Sequence, residues 1–337
     1  MSAVVSVLCV VTGAFIVGLV VWDVVATTLT VGGTAGPLTN RSLAATWRAL
    51  LRLHRRRAGW PRLLGTAGAL LLGLTAVIWI VLFWAGWSLI FLGSGAVADA
   101  DTAVPASLTD VVYFAGMTLS TLGVGDFVAS TAGWRIASAV AGFSGLALMT
   151  LAITYLLSVT SAVVSRRAVA TQLHALGDSA QGIVLGGWDG KGFEPAFVQQ
   201  LVQLPGQLAT VAEQHEAYPV LHYFRSRTAS AAAPLAMARL YDALHLLEAG
   251  VAQPVRPPAS AVQPVRRVVE RYVGTAGVDR AKVHEADPPP APAVDRLVAA
   301  GLPLAPETER QGAVGAVAGR RAGLRQLVED AGWEWDG

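Results

Sequence analysis

Long uncharged runs dominate the first half of the chain. Residues 3–22, AVVSVLCVVTGAFIVGLVVW, carry no charged side chain. A helix of about 20 such residues crosses a bilayer core of roughly 30 Å. Residues 63–92 are apolar throughout, and residues 132–164 repeat the pattern with Arg135 alone near the start. At about 1.5 Å per residue both are longer than the core and must tilt or protrude. Between them, residues 108–119 (LTDVVYFAGMTL) predict a helix too short to span. Ser107 or Asp110 is placed to cap it. The chain then runs through Ser120-Thr121-Leu122-Gly123-Val124-Gly125-Asp126, where glycine alternates with aliphatic residues and an acid closes the run.

The polar stretches between these runs set the topology. Trp22 suits an interface. For Asp23, just after it, two readings stand: an acid at the helix end, or an intramembrane acid paired with Thr27 or with a neighbouring helix. Gly32-Gly33 and Gly36-Pro37 break the first helix, and Thr39 or Asn40 is expected to cap the next. Residues 41–58 place Leu43, Trp47, Leu50, Leu51 and His54 near one face, with Arg41, Arg48, Arg52 and Arg55 toward the other. That pattern predicts an amphipathic helix on a membrane surface, its arginines (Arg48, Arg52, Arg55, Arg56, Arg57) on anionic lipid headgroups. The arginine excess puts this loop on the cytoplasmic side. Because these arginines lie between spans, they form no voltage-sensing ladder. Asp99, Asp101 and Asp110 then face outside, either as an acidic mouth that gathers cations or as a solvated loop. Arg166-Arg167 close the last span on the inner side.

Composition sharpens this division. Only 14% of the 337 residues are charged, against about 25% in soluble domains. Residues 1–165 hold eight Arg, no Lys and five Asp, whereas residues 166–337 hold 17 basic and 18 acidic side chains. The net charge of +2 gives no footprint for nucleic acid. Cys9, the only cysteine, excludes an intrachain disulfide and a cysteine metal cluster. The N-terminus lacks a basic segment before its apolar run and reads as a retained helix.

The second half predicts helices over 165–176, 194–204, 206–217, 230–250, 260–273, 293–300 and 307–332. Turns or linkers are expected at 251–264 and 286–293. Residues 186–192, GGWDGKG, fail as a phosphate loop: Leu185 and Gly192 stand where Gly and Ser or Thr are required around Lys191. A glycine-rich turn is the plainer reading. Glu213, His215, Glu216 and His222 form a loose cluster that helix positions explain as well as a metal does. No paired carboxylates or activated nucleophile appear, so no enzyme is expected. A receptor or scaffold presenting the helical half to a partner is the competing non-enzymatic reading.

The stretch 107–126 resembles the pore helix and selectivity filter of tetrameric potassium channels, whose filter reads T-x-G-[YF]-G-D. Tyr113 and Phe114 fall where that family has pore-helix aromatics, and Ser120-Thr121 at its hydroxyl pair. Val124 departs from the family's Tyr or Phe. Taken with the apolar runs and helix patterns above, the resemblance implies an all-α membrane protein with three transmembrane helices, a re-entrant pore helix and filter, and an all-α cytoplasmic domain. Its divisions are an N-terminal span (1–31), a basic amphipathic segment (32–62), a pore domain (63–165) and a helical cytoplasmic domain (166–337). The pore domain comprises the outer helix 63–92, pore helix 108–119, filter 120–126 and inner helix 132–164. It further implies a homotetramer in the cell membrane, with K+ as permeant ion and no other cofactor. K+ would sit on carbonyls of Thr121, Leu122, Gly123 and Val124, with Gly125 completing the turn. Ser120, Asp126, Tyr113 and Phe114 would support the filter. Gly145, with Gly142, falls near the family's gating hinge; close helix packing is the other reading. Without an aromatic at 124 the filter is expected to select K+, or else to be looser and pass Na+ as well. Thr150, Thr154 and Ser158 either line a wet cavity or bond back to their own helix.

Overall fold

The computed structural model describes residues 2–29, 36–56, 61–275 and 289–335; the side chains at 44, 49–56 and 61–65 are outside that description. Arg52, Arg55, Arg56 and His54 fall among the latter, and Arg57 lies outside the described residues. Two compact units are formed, residues 1–60 with 69–159, and residues 61–68 with 160–337.

The first unit contains α1 (Ala3–Thr28), α2 (Pro37–Arg56), most of α3 (Pro61–Ser94), α4 (Leu108–Leu119) and the first part of α5 (Ala132–Leu176). Three stretches are long and apolar enough to cross a membrane: α1, Thr66–Ser94 of α3, and α5. Val4, Leu8, Val11 and Phe15 of α1 are 59–77% exposed. A helix with such an outward face needs lipid around it. Glycines let α1 and α3 approach. A Cβ at Gly13 would stand 2.5 Å from the Gly86 carbonyl oxygen, and one at Gly93 would stand 2.6 Å from the Ser6 carbonyl oxygen. Position 13 meets 86 and position 6 meets 93, so the two helices run antiparallel. Small residues at a crossing are how membrane helices gain packing without a hydrophobic driving force.

α2 begins earlier than the amphipathic pattern indicates, at Pro37 rather than 41. Its cap also differs from the expected Thr39 or Asn40. The Asp23 carboxylate of α1 accepts from the Leu38 amide at 2.7 Å, the Thr39 amide at 3.2 Å and the Thr39 hydroxyl at 2.5 Å. A carboxylate from a neighbouring helix thus satisfies the orphan N–H groups that a local side chain usually takes. Asp23 is fully buried and also accepts from the Trp79 indole at 2.8 Å. The second reading of this residue is therefore the one the fold adopts.

The chain between α3 and α5 departs from an all-helical plan. β1 (Val97–Asp99) pairs antiparallel with β2 (Phe127–Ala129), with Val97 opposite Ala129. Period-two patterning cannot reveal strands of three residues. α5 is continuous through position 165, where the pattern suggested a boundary between inner helix and following domain. At about 1.5 Å per residue it is about 68 Å long, well beyond a bilayer core.

The second unit is helical: the end of α5, α6 (Ala180–Gly186), α7 (Pro195–Ala217), α8 (Ala233–His245), α9 (Ala259–Thr275), α10 (Asp295–Ala299) and α11 (Glu307–Asp330). α7 runs through Pro205, where two helices were expected. Leu201, Leu204, Leu208 and Val211 are buried at helical spacing on both sides of it. Burial of that stripe outweighs the hydrogen bond the proline removes. α6 has no counterpart in the sequence reading; Ser179 caps it by accepting from Gly182 N–H at 3.1 Å. The 186–192 stretch is a turn in which Asp189 accepts from the Lys191 and Gly192 amides, both at 2.7 Å. Asp242 and Arg321, both buried, form a two-armed ion pair at 2.7 and 2.9 Å, and Arg321 also donates to the Pro289 carbonyl.

Candidate functional site

α4 spans the expected residues because Ser107 and Asp110 form a reciprocal capping box. Trp84 of α3 donates its indole N–H to the Val112 carbonyl at 2.9 Å, and the Gly116 backbone lies under the same ring. Phe114 is buried edge-on against Phe91, with ring centroids 5.1 Å apart. Tyr113, one position earlier, faces the other way. Its ring packs edge-on against Phe127, which brings its hydroxyl near the Asp126 carboxylate. The two adjacent aromatics therefore do separate work: Phe114 fixes α4 to α3, and Tyr113 reaches the far end of the 120–126 stretch. Trp84 escaped the sequence reading. The available signal was an indole in mid-span, which needs an acceptor when buried.

Ser120 ends α4, its hydroxyl bonded back to the Met117 carbonyl at 3.2 Å. The next three amides turn to the same helix end. Thr121 N–H donates to Thr118 at 3.1 Å, and Leu122 and Gly123 N–H donate to Met117 at 3.1 and 3.4 Å. φ is +61° at Thr121, +51° at Gly123 and +91° at Gly125, and negative at Leu122 and Val124 between them. Alternating handedness gathers amides along one edge of a chain and carbonyls along the other. Among the described residues no donor reaches the carbonyls of Thr121, Leu122, Gly123, Val124 or Gly125. All of these residues are exposed. Glycine tolerates a left-handed φ, but Thr121 is β-branched and does not. Such strain costs about 1–3 kcal/mol and concentrates at functional sites.

The far end of the stretch is tied to the hairpin. Asp126 accepts the Ala100 amide through its carbonyl at 2.8 Å and the Phe127 amide through its carboxylate at 3.1 Å. Arg135, at the start of α5, donates to the Ala129 carbonyl at 3.1 Å. Asp99 folds its own loop, accepting from Thr102 and Asp101 amides. Asp110 is engaged in the capping box, so Asp99 and Asp110 have local structural partners. α5 meets α4 at Gly145, where a Cβ would stand 2.3 Å from the Leu119 carbonyl oxygen; at Gly142 it would be 3.4 Å from that of Thr118. Gly145 is thus a contact point of two backbones. Thr150 and Thr154 bond back to Leu146 and Thr150 carbonyls.

The loose cluster at 213–222 is taken up otherwise. Arg271 bonds Glu213 at 2.7 Å and Glu216 at 3.3 Å, while His215 packs edge-on against Tyr272. Among the described residues no group of three or more His, Cys, Asp or Glu is placed to hold a metal.

Residues 70–162 match a family described as ion channel. The match takes in α4, the stretch after it and both flanking helices. The chain is 32% identical over 315 residues to the uncharacterized membrane protein YdjJ of Bacillus subtilis (strain 168), an alignment covering 93% of this chain and 91% of that one. No solved structure matches the chain. The similarity runs through both halves, and the chain belongs to the family of that membrane protein, with an ion-channel segment over residues 70–162.

Proposed function

We propose that the protein is a potassium-selective channel of the cell membrane, assembled from four copies around one axis. The observation that carries this reading is the row of carbonyls from Thr121 to Gly125 with no donor among the described residues. Unpaired carbonyls on exposed backbone suit a dehydrated cation, whose water shell they replace. One chain supplies one row; four rows enclose an ion. The C-terminus of α4 lies directly before the row, and its partial negative charge favours a cation there. In this reading α4 is a re-entrant pore helix. Irregular backbone at membrane depth is tolerated where it is buried in protein or lines water. The N-terminus is then outside, the basic α2 lies on inner-leaflet lipid, and the helical unit is cytoplasmic.

Val124 favours a second reading, a weakly selective cation channel. Its side chain is 64% exposed and too short to brace the row as an aromatic does. Flux into liposomes holding the purified protein tests both readings. Potassium uptake well above sodium uptake, abolished by Gly123→Ala, is expected. Equal uptake of the two ions defeats selectivity, and no uptake of either defeats the channel. A non-conducting receptor or scaffold would be indifferent to Gly123→Ala.

A further inference from the structure

Four arginines line one cavity where the apolar run of α5 ends. Arg166 and Arg167 follow Val163 and Val164 on that helix, and Arg225 and Arg227 come from the loop after residues 219–223. Together with the Ser226 and Thr228 hydroxyls they surround about 460 Å³, and no carboxylate is among the lining residues. That volume lies within the range of small-ligand sites, roughly 300–1,000 Å³.

The charge here is handled differently from elsewhere in the same unit. Arg256, Arg271, Arg321 and Arg325 each have a carboxylate within 3.0 Å. Arg167 and Arg227 are exposed and form no ion pair among the described residues. The other two arginines are held in place. Buried Arg166 donates to the Leu221 carbonyl at 2.7 Å and to that of Phe224 at 3.4 Å. Arg225 donates to the Asp330 carbonyl at 2.7 Å, and the Asp330 carboxylate also acts on it. The loop is seated as well, since the Phe224 ring fills the space over Gly68 of α3, where a Cβ would stand 2.6 Å from it. Two fixed arginines, two unpaired ones and the Thr228 hydroxyl make a preformed anion cradle; the Ser226 hydroxyl is spent on the Ala231 carbonyl at 2.6 Å. Guanidinium forks match phosphate oxygens in pairs.

We propose that this cavity binds the phosphate of an anionic phospholipid headgroup. The lipid source is favoured because Val163, on the last apolar turn of a membrane-spanning helix, forms one wall. A headgroup bound there joins the end of α5 to the 224–228 loop. The site differs from the arginines of α2, and the proposal stands whether or not the chain conducts.

Native mass spectrometry of the purified full-length protein tests it, with dioleoyl phosphatidylglycerol and dioleoyl phosphatidylcholine as probes and inorganic phosphate as a third arm. Saturable retention of phosphatidylglycerol, about tenfold tighter than phosphatidylcholine, is expected. The R167Q/R227Q double variant should lose about tenfold in that affinity, and R167K/R227K should keep most of it, which separates lost charge from misfolding. Equal retention by wild type and R167Q/R227Q overturns the proposal, as does equal retention of the two lipids. Inorganic phosphate that competes fully, with the same dependence on Arg167 and Arg227, overturns the lipid source and leaves a soluble phosphate ligand in its place.

Discussion

The indole N–H of Trp79 donates to the Asp23 carboxylate across 2.8 Å, 56 residues apart in the chain. Around that one carboxylate meet the end of α1, the start of α2 and the middle of α3. Gly36 makes room for it, since a Cβ there would stand 2.2 Å from the Asp23 oxygen, and the Gly36 amide donates to Thr27 instead.

Removing that carboxylate leaves four donors buried with nothing to accept them. Asp23→Ala is expected to destabilise the full chain by about 3 kcal/mol, while Trp79→Phe, which removes one donor, costs about 1.5 kcal/mol. Thermal unfolding in detergent measures the first. Limited proteolysis at the arginines of α2 reads a second consequence, because α2 loses its cap and should be cut faster. An Asp23→Ala protein with unchanged midpoint and unchanged cleavage would show that the node holds nothing.

Gly145 admitted two readings from sequence, hinge or contact. The Leu119 carbonyl oxygen 2.3 Å from where its Cβ would stand supports the contact reading. Gly145→Ala should displace the end of α4 and cut ion flux at least tenfold, whereas Gly142→Ala, with 3.4 Å to its neighbour, should be tolerated. A hinge predicts the opposite emphasis: alanine would leave the closed packing intact and alter only opening. Flux per reconstituted protein, compared between the two variants, separates the cases.

What was legible in the sequence depended on the range of the interactions involved. The three apolar spans and the Ser107-Asp110 cap are written in residues within one helix, and they lie where the pattern put them. The cap of α2 is written 14 residues upstream of Pro37, in Asp23, and no local rule finds it. The β1–β2 pair joins residues 30 apart through strands too short to show alternation. Pro205 misled because a local breaker was weighed without the buried stripe Leu201-Leu204-Leu208-Val211 that overrides it. In the candidate site, the alternating glycines were plain. The opposite facing of Tyr113 and Phe114 was not, because it depends on where Phe91 and Asp126 sit in space.

The Tyr113 hydroxyl of α4 lies near the Asp126 carboxylate. In the proposed channel, a bond from that hydroxyl to Asp126 holds the outer end of the row in place of the aromatic missing at 124. Tyr113→Phe keeps the ring against Phe127 and removes the hydroxyl. The expected result is preserved folding with potassium preference over sodium reduced by about tenfold, equivalent to one good hydrogen bond to a charged group. Competition flux with the two ions in the same vesicles measures it. Unchanged preference in Tyr113→Phe would move the brace elsewhere.

His215 and His245 lie in the helical unit, outside the three membrane-capable helices. Burial, followed by the Arg166 and His222 charges, pushes His215 down to about 3. Burial, followed by Arg266 and Arg321, pushes His245 down to about 4. Both are held neutral in the fold but take up protons when unfolded, from an ordinary value of 6.5. Between pH 6.5 and about 4 the unfolded chain therefore binds more protons, so stability is complete above 6.5 and falls as pH drops through that window. Each histidine contributes up to about 1.4 kcal/mol per pH unit. His215→Phe keeps a ring edge-on to Tyr272, its partner at 5.6 Å, and cannot titrate. Its unfolding midpoint should fall less steeply between pH 6 and about 4 than that of the native chain, by roughly one proton's worth of slope. Equal slopes would mean that His215 is protonated in the fold, and that the Arg166 charge beside it is answered by another group.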